Sequence, residues 1–260
     1  MFYQQPPVGN PVLFSSVENP EAVLDQIFTP WQAKYFNSGT AALAAAFTAA
    51  IRYKAVDAQP EVVLPAYGCP DLVSAALYAG ARPVLVDLDP DRPWMDLEQL
   101  RSKIGDRTVA VVAASLFGIP ERITQIRSII EGSGVLLIED SAQAFPAGED
   151  ADFWQGDLVV LSFGRGKPVS LLGGGAVLFR QPWSGELLPV AMAQADTAGW
   201  KEKAVLRLKI ELYNRMISPG LYWLPLGLPF LHLGETRFHS LAAIAAIDTI
   251  RMSMLPANVK

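Results

Sequence analysis

The sequence has few of the residues that build cross-links and metal sites. Its 260 residues include one cysteine, Cys69, and two histidines, His232 and His239. A single cysteine excludes an internal disulfide framework and a zinc site built from cysteines. Two histidines leave little basis for a histidine-based metal site or for a Ser-His nucleophile.

Charged residues are also scarce. They make up 18% of the chain, against a usual fraction of about 25%, whereas apolar residues make up 51%. This composition excludes a disordered chain and indicates a large core with some apolar surface left for a partner. The 21 basic and 26 acidic residues give a net charge of −5, which disfavours general nucleic-acid binding because such binding requires a basic face.

The chain lacks a long apolar run that is free of helix breakers. Residues 1–11 have neither the basic region nor the apolar core of a signal peptide. The longest uncharged apolar stretch, residues 216–234, is interrupted by Pro219, Pro225 and Pro229, which disfavour a membrane-spanning helix. The sequence therefore predicts a soluble cytoplasmic protein.

The middle of the chain alternates between short apolar runs and segments of helical length. The runs predict buried strands over residues 61–64, 83–87, 108–113, 135–139, 158–162 and 176–179. Helices are predicted over residues 41–53, 70–78, 95–104, 120–131, 197–216 and 240–252. This alternation predicts a three-layer α/β fold, with a mainly parallel sheet and helices on both faces. We divide the chain into a core, residues 1–180, and a helical and apolar extension, residues 181–260.

Polar residues follow two of the predicted strands and begin one helix. Asp140 comes directly after one strand, and Lys167 lies shortly after another. Ligands of open α/β sheets bind at the carboxyl ends of the strands, so we expect these two side chains at one edge. The start of the alanine-rich helix, at Gly39 and Thr40, offers N–H groups to an anion. A phosphate site, a carboxylate and a lysine are the groups that a pyridoxal phosphate enzyme needs.

A series of short motifs supports this interpretation. They occupy residues 37–43, 63–67, 80–87, 116–120, 138–143, 156–157, 162–167 and 173–177. In this order they resemble the DegT/DnrJ/EryC1/StrS family of sugar aminotransferases, which are fold type I enzymes. Each motif is weak evidence alone, but the resemblance extends to about residue 250. It implies the large domain of that fold and the cofactor pyridoxal 5'-phosphate.

The resemblance also implies roles for individual residues. Lys167 would hold the cofactor as a Schiff base and carry the proton, and Asp140 would pair with the pyridine nitrogen. Gln143 would contact the ring or its oxygen. The phosphate would be held by Gly39, Thr40 and Ser162. Lys167 stands where the family's dehydratases have histidine, which favours transfer of an amino group, typically from glutamate, to a keto-sugar nucleotide by a homodimer.

Simpler interpretations of these residues stay open. A loop lysine such as Lys167 is commonly solvated, and an aspartate at a strand end, such as Asp140, commonly caps a turn. Ser38 or Thr40 is suited to cap the helix that follows. Each of these interpretations removes one group from the predicted cofactor site.

The sequence departs from the family in several places. Cys69 stands near the position where relatives have an aromatic ring that stacks on the cofactor. Glu235 stands where they have an asparagine near the phosphate, and a carboxylate there would be repulsive. The connection over residues 181–232 is unusually apolar, which predicts a covered surface, with a subunit interface favoured over a membrane surface. The resemblance implies a small C-terminal domain of about 100 residues after this point, and we expect that domain to be largely absent from the sequence given.

These departures define two alternatives to an active aminotransferase. The first is a degenerate relative that binds pyridoxal phosphate, or a partner protein in a glycan-biosynthesis system, without turnover. The second is a structural or membrane-associated subunit of such a system.

Overall fold

The computed structural model describes residues 9–15, 17–146, 152–180, 199–228 and 237–259. Strands lie at β1 (Gln32–Phe36), β2 (Glu61–Pro65), β3 (Arg82–Val86), β4 (Thr108–Ala114), β5 (Leu136–Asp140), β6 (Leu158–Ser162) and β7 (Gly175–Phe179). Helices lie at α1 (Pro20–Phe28), α2 (Gly39–Lys54), α3 (Asp71–Tyr78), α4 (Leu97–Lys103), α5 (Ile123–Ile130), α6 (Trp200–Met216), α7 (Trp223–Leu226) and α8 (Thr249–Asn258). The six predicted strands are confirmed to within about a residue at each end, whereas α1, β1 and the short helix α7 are not among the predicted elements.

The described strands form one seven-stranded sheet in the order β1-β7-β6-β5-β4-β2-β3. The strands that lie side by side in the order β3, β2, β4, β5 and β6 all pair in parallel. Strand β7 pairs antiparallel with both of its neighbours, β6 and β1. The reversed strand β7 therefore begins at the edge where β1, β5 and β6 end. This topology confirms the mainly parallel α/β fold.

Helix α2 is buried along most of its length. Residues Ala41–Phe47 are all buried, and the helix packs against strands of the sheet on one side and α3 on the other. A helix enclosed in this way is apolar around its circumference, and alanine lets it approach the sheet closely. The alanine-rich sequence thus holds the start of α2 near the ends of β1 and β6.

The opposite face of the sheet is covered in two parts. Side chains of α4 and α5 pack on β2, β4 and β5. Side chains of α1, α6 and α8 pack on β6 and β7, with Ile210 and Leu255 completely buried in that cluster. The core therefore includes residues on both sides of residue 180. The division of the chain at that residue stays a prediction, and residues 181–198 lie outside the described part.

The final helix was predicted in the wrong place. It spans Thr249–Asn258, where Asp248 caps its start by accepting the N–H of Arg251 at 2.9 Å. Tertiary hydrogen bonds hold the preceding residues extended: the N–H of Asn37 donates to the carbonyl of Ala245 at 2.9 Å, and Ser74 Oγ accepts the N–H of Leu241 at 2.9 Å. An apolar, helix-favouring sequence is thus overridden by its partners.

The fifth helix starts later than Pro120, the predicted first residue. It begins at Ile123, because the residues before it make tertiary bonds. The carboxylate of Glu121 is buried and accepts the N–H of Met95 at 2.8 Å. Within the described ranges, no helix is both long enough and apolar enough to cross a bilayer.

Candidate active site

A cavity of about 270 Å³ lies at the edge where β1, β5 and β6 end and β7 begins. Its volume is just below the range of ~300–1,000 Å³ that is usual for small-molecule sites. All six predicted site residues line it: Gly39, Thr40, Asp140, Gln143, Ser162 and Lys167. The structure thus brings together residues that are up to 128 positions apart in the sequence.

The first turn of α2 forms one wall of the cavity. Ser38, which is the residue that caps this helix, accepts the N–H of Ala41 on its Oγ at 3.0 Å. Gly39 lies so close to β6 that a Cβ at this position would be 2.7 Å from both Cβ and Oγ of Ser162. A glycine is therefore required for the helix start and the hydroxyl of Ser162 to stand side by side. The positive end of the helix dipole also favours an anion here.

Thr40 has a partner that the sequence did not predict. Its hydroxyl donates to Oδ2 of Asp71, at the start of α3, with a distance of 3.0 Å. Asp71 also lines the cavity, so a carboxylate stands beside the proposed anion site. Asp71 could have been found from the sequence, because it follows shortly after β2. Asp140 was selected by the same criterion, a polar residue after the end of a strand.

Asp140 ends β5 and faces the cavity. Burial raises the pKa of its carboxyl group. The N–H of Ala142, which donates to Oδ1 at 3.1 Å, and the charge of Lys167 lower this pKa, and the charge of Asp71 raises it. The bond to Ala142 shows that Asp140 also caps the turn. This capping leaves Asp140 in the cavity, so it is compatible with the predicted pairing with a pyridine nitrogen. A half-buried carboxylate of this kind is stabilised by a cation placed against it.

Lys167 reaches the cavity from a tight turn after β6. The N–H of Lys167 donates to the carbonyl of Gly164 at 3.3 Å, and Gly166 in this turn has a φ of +75°, which favours glycine. The charge of Lys167 is close enough to affect the carboxyl group of Asp140 and the thiol of Cys69. The lysine thus lines the same cavity as the end of β5 and the start of α3.

Gln143, which lines the cavity, is bonded to the backbone of a residue with an exposed ring, Phe117. Oε1 of Gln143 accepts the N–H of Phe117 at 2.8 Å, and the ring of Phe117 lies 6.2 Å from that of Tyr67. Cys69 lines the same cavity and is exposed as a residue, and partial burial raises the pKa of its thiol. Glu235 lies outside the described residues.

A second cavity of about 430 Å³ adjoins the first, and Gln143 and Lys167 line both. Its remaining lining residues are Gly9, Asn10, Phe117, Arg165, Gly166 and Pro168. Lys167 therefore stands between an inner cavity that contains the carboxylate and the helix start, and an outer one that contains an exposed arginine.

The donor set of the inner cavity fits pyridoxal phosphate. A helix start with a hydroxyl group suits a phosphate, a half-buried carboxylate suits a protonated ring nitrogen, and a lysine suits an aldehyde. The carboxylate of Asp71 is the element of the cavity that does not favour an anion.

The three-layer α/β fold, with these groups at the carboxyl edge of the sheet, is that of the large domain of pyridoxal phosphate-dependent sugar aminotransferases. Residues 17–198 match the model of the DegT/DnrJ/EryC1/StrS aminotransferase family. This chain belongs to that family.

Individual relatives agree with this assignment. A UDP-N-acetyl-3-dehydro-alpha-D-glucosamine 3-aminotransferase of Acidithiobacillus ferrooxidans is 31% identical over 54% of this chain and 38% of its own length. A GDP-perosamine synthase of Escherichia coli is 30% identical over 45% of this chain and 33% of its own length. This chain thus matches about a third of the length of these curated relatives.

Solved structures share the fold. GDP-4-keto-6-deoxy-D-mannose-3-dehydratase of Escherichia coli, with bound hydrated PLP, has a TM-score of 0.62 and 16% identity, covering 98% of this chain and 67% of that one. An aminotransferase of Psychrobacter cryohalolentis has a TM-score of 0.57 and 20% identity, covering 90% of this chain and 53% of that one. At these identities the likeness establishes the fold of the chain.

Proposed function

We propose that this protein is a pyridoxal phosphate-dependent aminotransferase that acts on a keto-sugar nucleotide. The proposal depends mainly on one observation: Lys167, Asp140 and the start of α2 line the same cavity. The chain also belongs to an aminotransferase family. When bound, pyridoxal phosphate supplies an aldehyde that exchanges amino groups and a ring that withdraws electrons.

Each residue has a role in this proposal. The amine of Lys167 binds the cofactor and, in its neutral form, carries a proton between the carbon and the nitrogen that exchange it. Asp140 keeps the ring nitrogen protonated. The phosphate is held by Gly39, Thr40 and Ser162. Gln143 orients the ring, because its amide is anchored by the N–H of Phe117 at the boundary of the two cavities.

The substrate class follows from the relatives. The name of the Acidithiobacillus relative specifies a nucleotide-linked sugar with a dehydro position, and that of the Escherichia coli relative specifies a GDP-linked amino sugar. The outer cavity beside Lys167 offers Arg165 to an anionic group of such a molecule. We propose glutamate as the amino donor, and glycan-precursor synthesis in the cytoplasm as the setting. These names favour a transferase over a non-catalytic binding subunit.

A visible absorption spectrum tests the proposal. Purified protein incubated with pyridoxal phosphate should turn yellow, and Lys167→Ala should abolish the band. Lys201→Ala is the matched control, because Lys201 is an exposed lysine on α6, and it should leave the band unchanged. Adding glutamate should then shift the spectrum towards the aminated cofactor. A colourless wild-type protein would refute the proposal, whereas a stable yellow protein that ignores every amino donor would identify a non-catalytic binder.

We also propose a homodimer, which rests on the resemblance to the family. Light scattering on the purified protein measures its mass directly, and a mass of about 28.2 kDa at all concentrations would identify a monomer instead.

A further inference from the structure

Helix α6 carries two apolar stripes. Leu206, Ile210 and Tyr213 follow helical spacing and pack on the core, with Ile210 completely buried, and Ile217, directly after the helix, is also buried. The side chain of Asn214 fixes this face further, because it exchanges two hydrogen bonds of 2.8 Å with the backbone of Val12. The orientation of α6 on the body of the protein is therefore determined.

The second stripe faces away from the core. Val205, Leu208 and Leu212 have the spacing i, i+3, i+7, so they share one face, and Leu208 is 65% exposed. Trp200 at the start of the helix is 75% exposed, and Trp223, shortly after its end, is 64% exposed. We call this set of five residues the outer stripe. Each of these five side chains is more than half exposed, although the neighbouring face of α6 packs on the core.

Basic residues border the outer stripe. Lys201 lies four residues before Val205, Lys209 lies four residues after it, and Arg215 lies three residues after Leu212; all three are exposed. By sequence, residues 200–216 contain five basic and two acidic residues, a net charge of +3 in a chain whose net charge is −5. The following residues, 217–234, contain no Asp, Glu, Lys or Arg. Positive charge is thus concentrated where apolar side chains are exposed.

This combination distinguishes between the two partners that the sequence left open. Subunit interfaces are depleted of lysine, whereas two lysines border the outer stripe. Helices that lie in the plane of a bilayer combine tryptophan and leucine on one face with lysine and arginine beside them. We infer that α6, with the turn that follows it, docks the protein on the surface of an anionic membrane.

In this arrangement the outer stripe enters the boundary between headgroups and acyl chains, and the bordering ammonium and guanidinium groups contact lipid phosphates. The cavity residues come from other elements, so docking does not require the cofactor chemistry. Failure of the proposed activity and failure of docking are therefore separate results.

Flotation with vesicles tests the inference. Wild-type protein should float with vesicles that contain phosphatidylglycerol and should stay at the bottom with pure phosphatidylcholine. The double variant Leu208→Glu, Leu212→Glu should lower binding at least tenfold. The matched control is Leu77→Glu, which alters a residue that is similarly exposed but lies on α3, and it should bind like the wild type.

Neutralising charges gives a second measurement. The double variant Lys209→Gln, Arg215→Gln should bind anionic vesicles roughly 25-fold less at low salt, since each charge contributes about fivefold. Circular dichroism and thermal unfolding check that every variant is folded. Absence of binding to both kinds of vesicle, or equal binding to both, would overturn the inference. The inference would also be overturned if the wild type were a dimer and the Leu208→Glu, Leu212→Glu variant were monomeric but still bound vesicles like the wild type. The outer stripe would then join two copies of the chain.

Discussion

The hydroxyl of Thr40 donates a hydrogen bond of 3.0 Å to the carboxylate of Asp71. This bond joins the starts of α2 and α3 across the inner cavity. It stabilises the apposition of the two helices, but it also directs the Thr40 hydroxyl away from an incoming phosphate and places a negative charge next to it. An anion that uses this hydroxyl must compete with Asp71.

Asp71→Asn should therefore strengthen phosphate binding. The amide keeps an oxygen that can accept from Thr40 and removes the like charge, whose repulsion costs about 1 kcal/mol at 4 Å in a watery site. We expect roughly fivefold tighter binding of inorganic phosphate, measured by calorimetry. Weaker binding by a variant with unchanged melting temperature would show that the carboxylate helps to organise the site.

Gly39→Ala should damage the site through crowding. The added Cβ would lie 2.7 Å from two atoms of Ser162, so the helix start and β6 must separate. The expected loss is about 1–3 kcal/mol in the free energy of unfolding, together with weaker cofactor binding. Urea unfolding measures the first and absorbance titration the second. Gly105→Ala is the control, because a Cβ there meets no atom within 4 Å, and it should change neither quantity.

Asp140→Asn should stabilise the cofactor-free protein at high pH and weaken the binding of pyridoxal phosphate. Burial raises the pKa of the Asp140 carboxyl in the folded protein above its unfolded value of about 3.9. The folded state then binds more protons than the unfolded state, so this group lowers stability as the pH rises from about 4 through the raised pKa. Without cofactor, the variant should be more stable than wild type at pH 8, and this gain should shrink as the pH falls to 4.

Thermal melts of both proteins across this pH range measure the difference, and the variant should bind pyridoxal phosphate more weakly. A variant less stable than wild type at pH 8 would contradict this prediction. It would show that the partners of the ionised Asp140 stabilise the folded protein even without cofactor.

Cys69 provides a direct probe of the cavity because it is the one thiol in the chain. Partial burial raises its pKa, and the thiolate is the reactive form, so alkylation at pH 7 should be slower than for a free cysteine and should accelerate as the pH rises. Bound pyridoxal phosphate should slow labelling, as measured by intact mass. A labelling rate that saturating cofactor leaves unchanged would place the cofactor away from Cys69.

Much of the fold was predictable because its signals are local. A strand buried on both faces, such as β4, is continuously apolar, and the start of α2 shows a serine cap followed by alanines. The parallel order of the strands then requires Asp140 and Ser162 to emerge at one edge. The family motifs are carried by these same segments.

The misplaced final helix shows where local signals fail. Its sequence favours a helix from Ser240, but the backbone of Leu241 and Ala245 bonds to Ser74 and Asn37, which are far away in the sequence. Helix propensity amounts to less than about 1 kcal/mol per residue, so such tertiary partners decide the outcome.

The sequence by itself determined the α/β class, the family and the six residues expected at the site. Only the tertiary structure decided which groups those residues meet: Ser162 beside Gly39, Asp71 against Thr40, and one apolar stripe of α6 packed while the other faces solvent. The physical reason is that hydrophobic pattern and helix capping act over a few residues, whereas hydrogen bonds between side chains, like-charge repulsion and burial depend on elements that only the folded chain brings together.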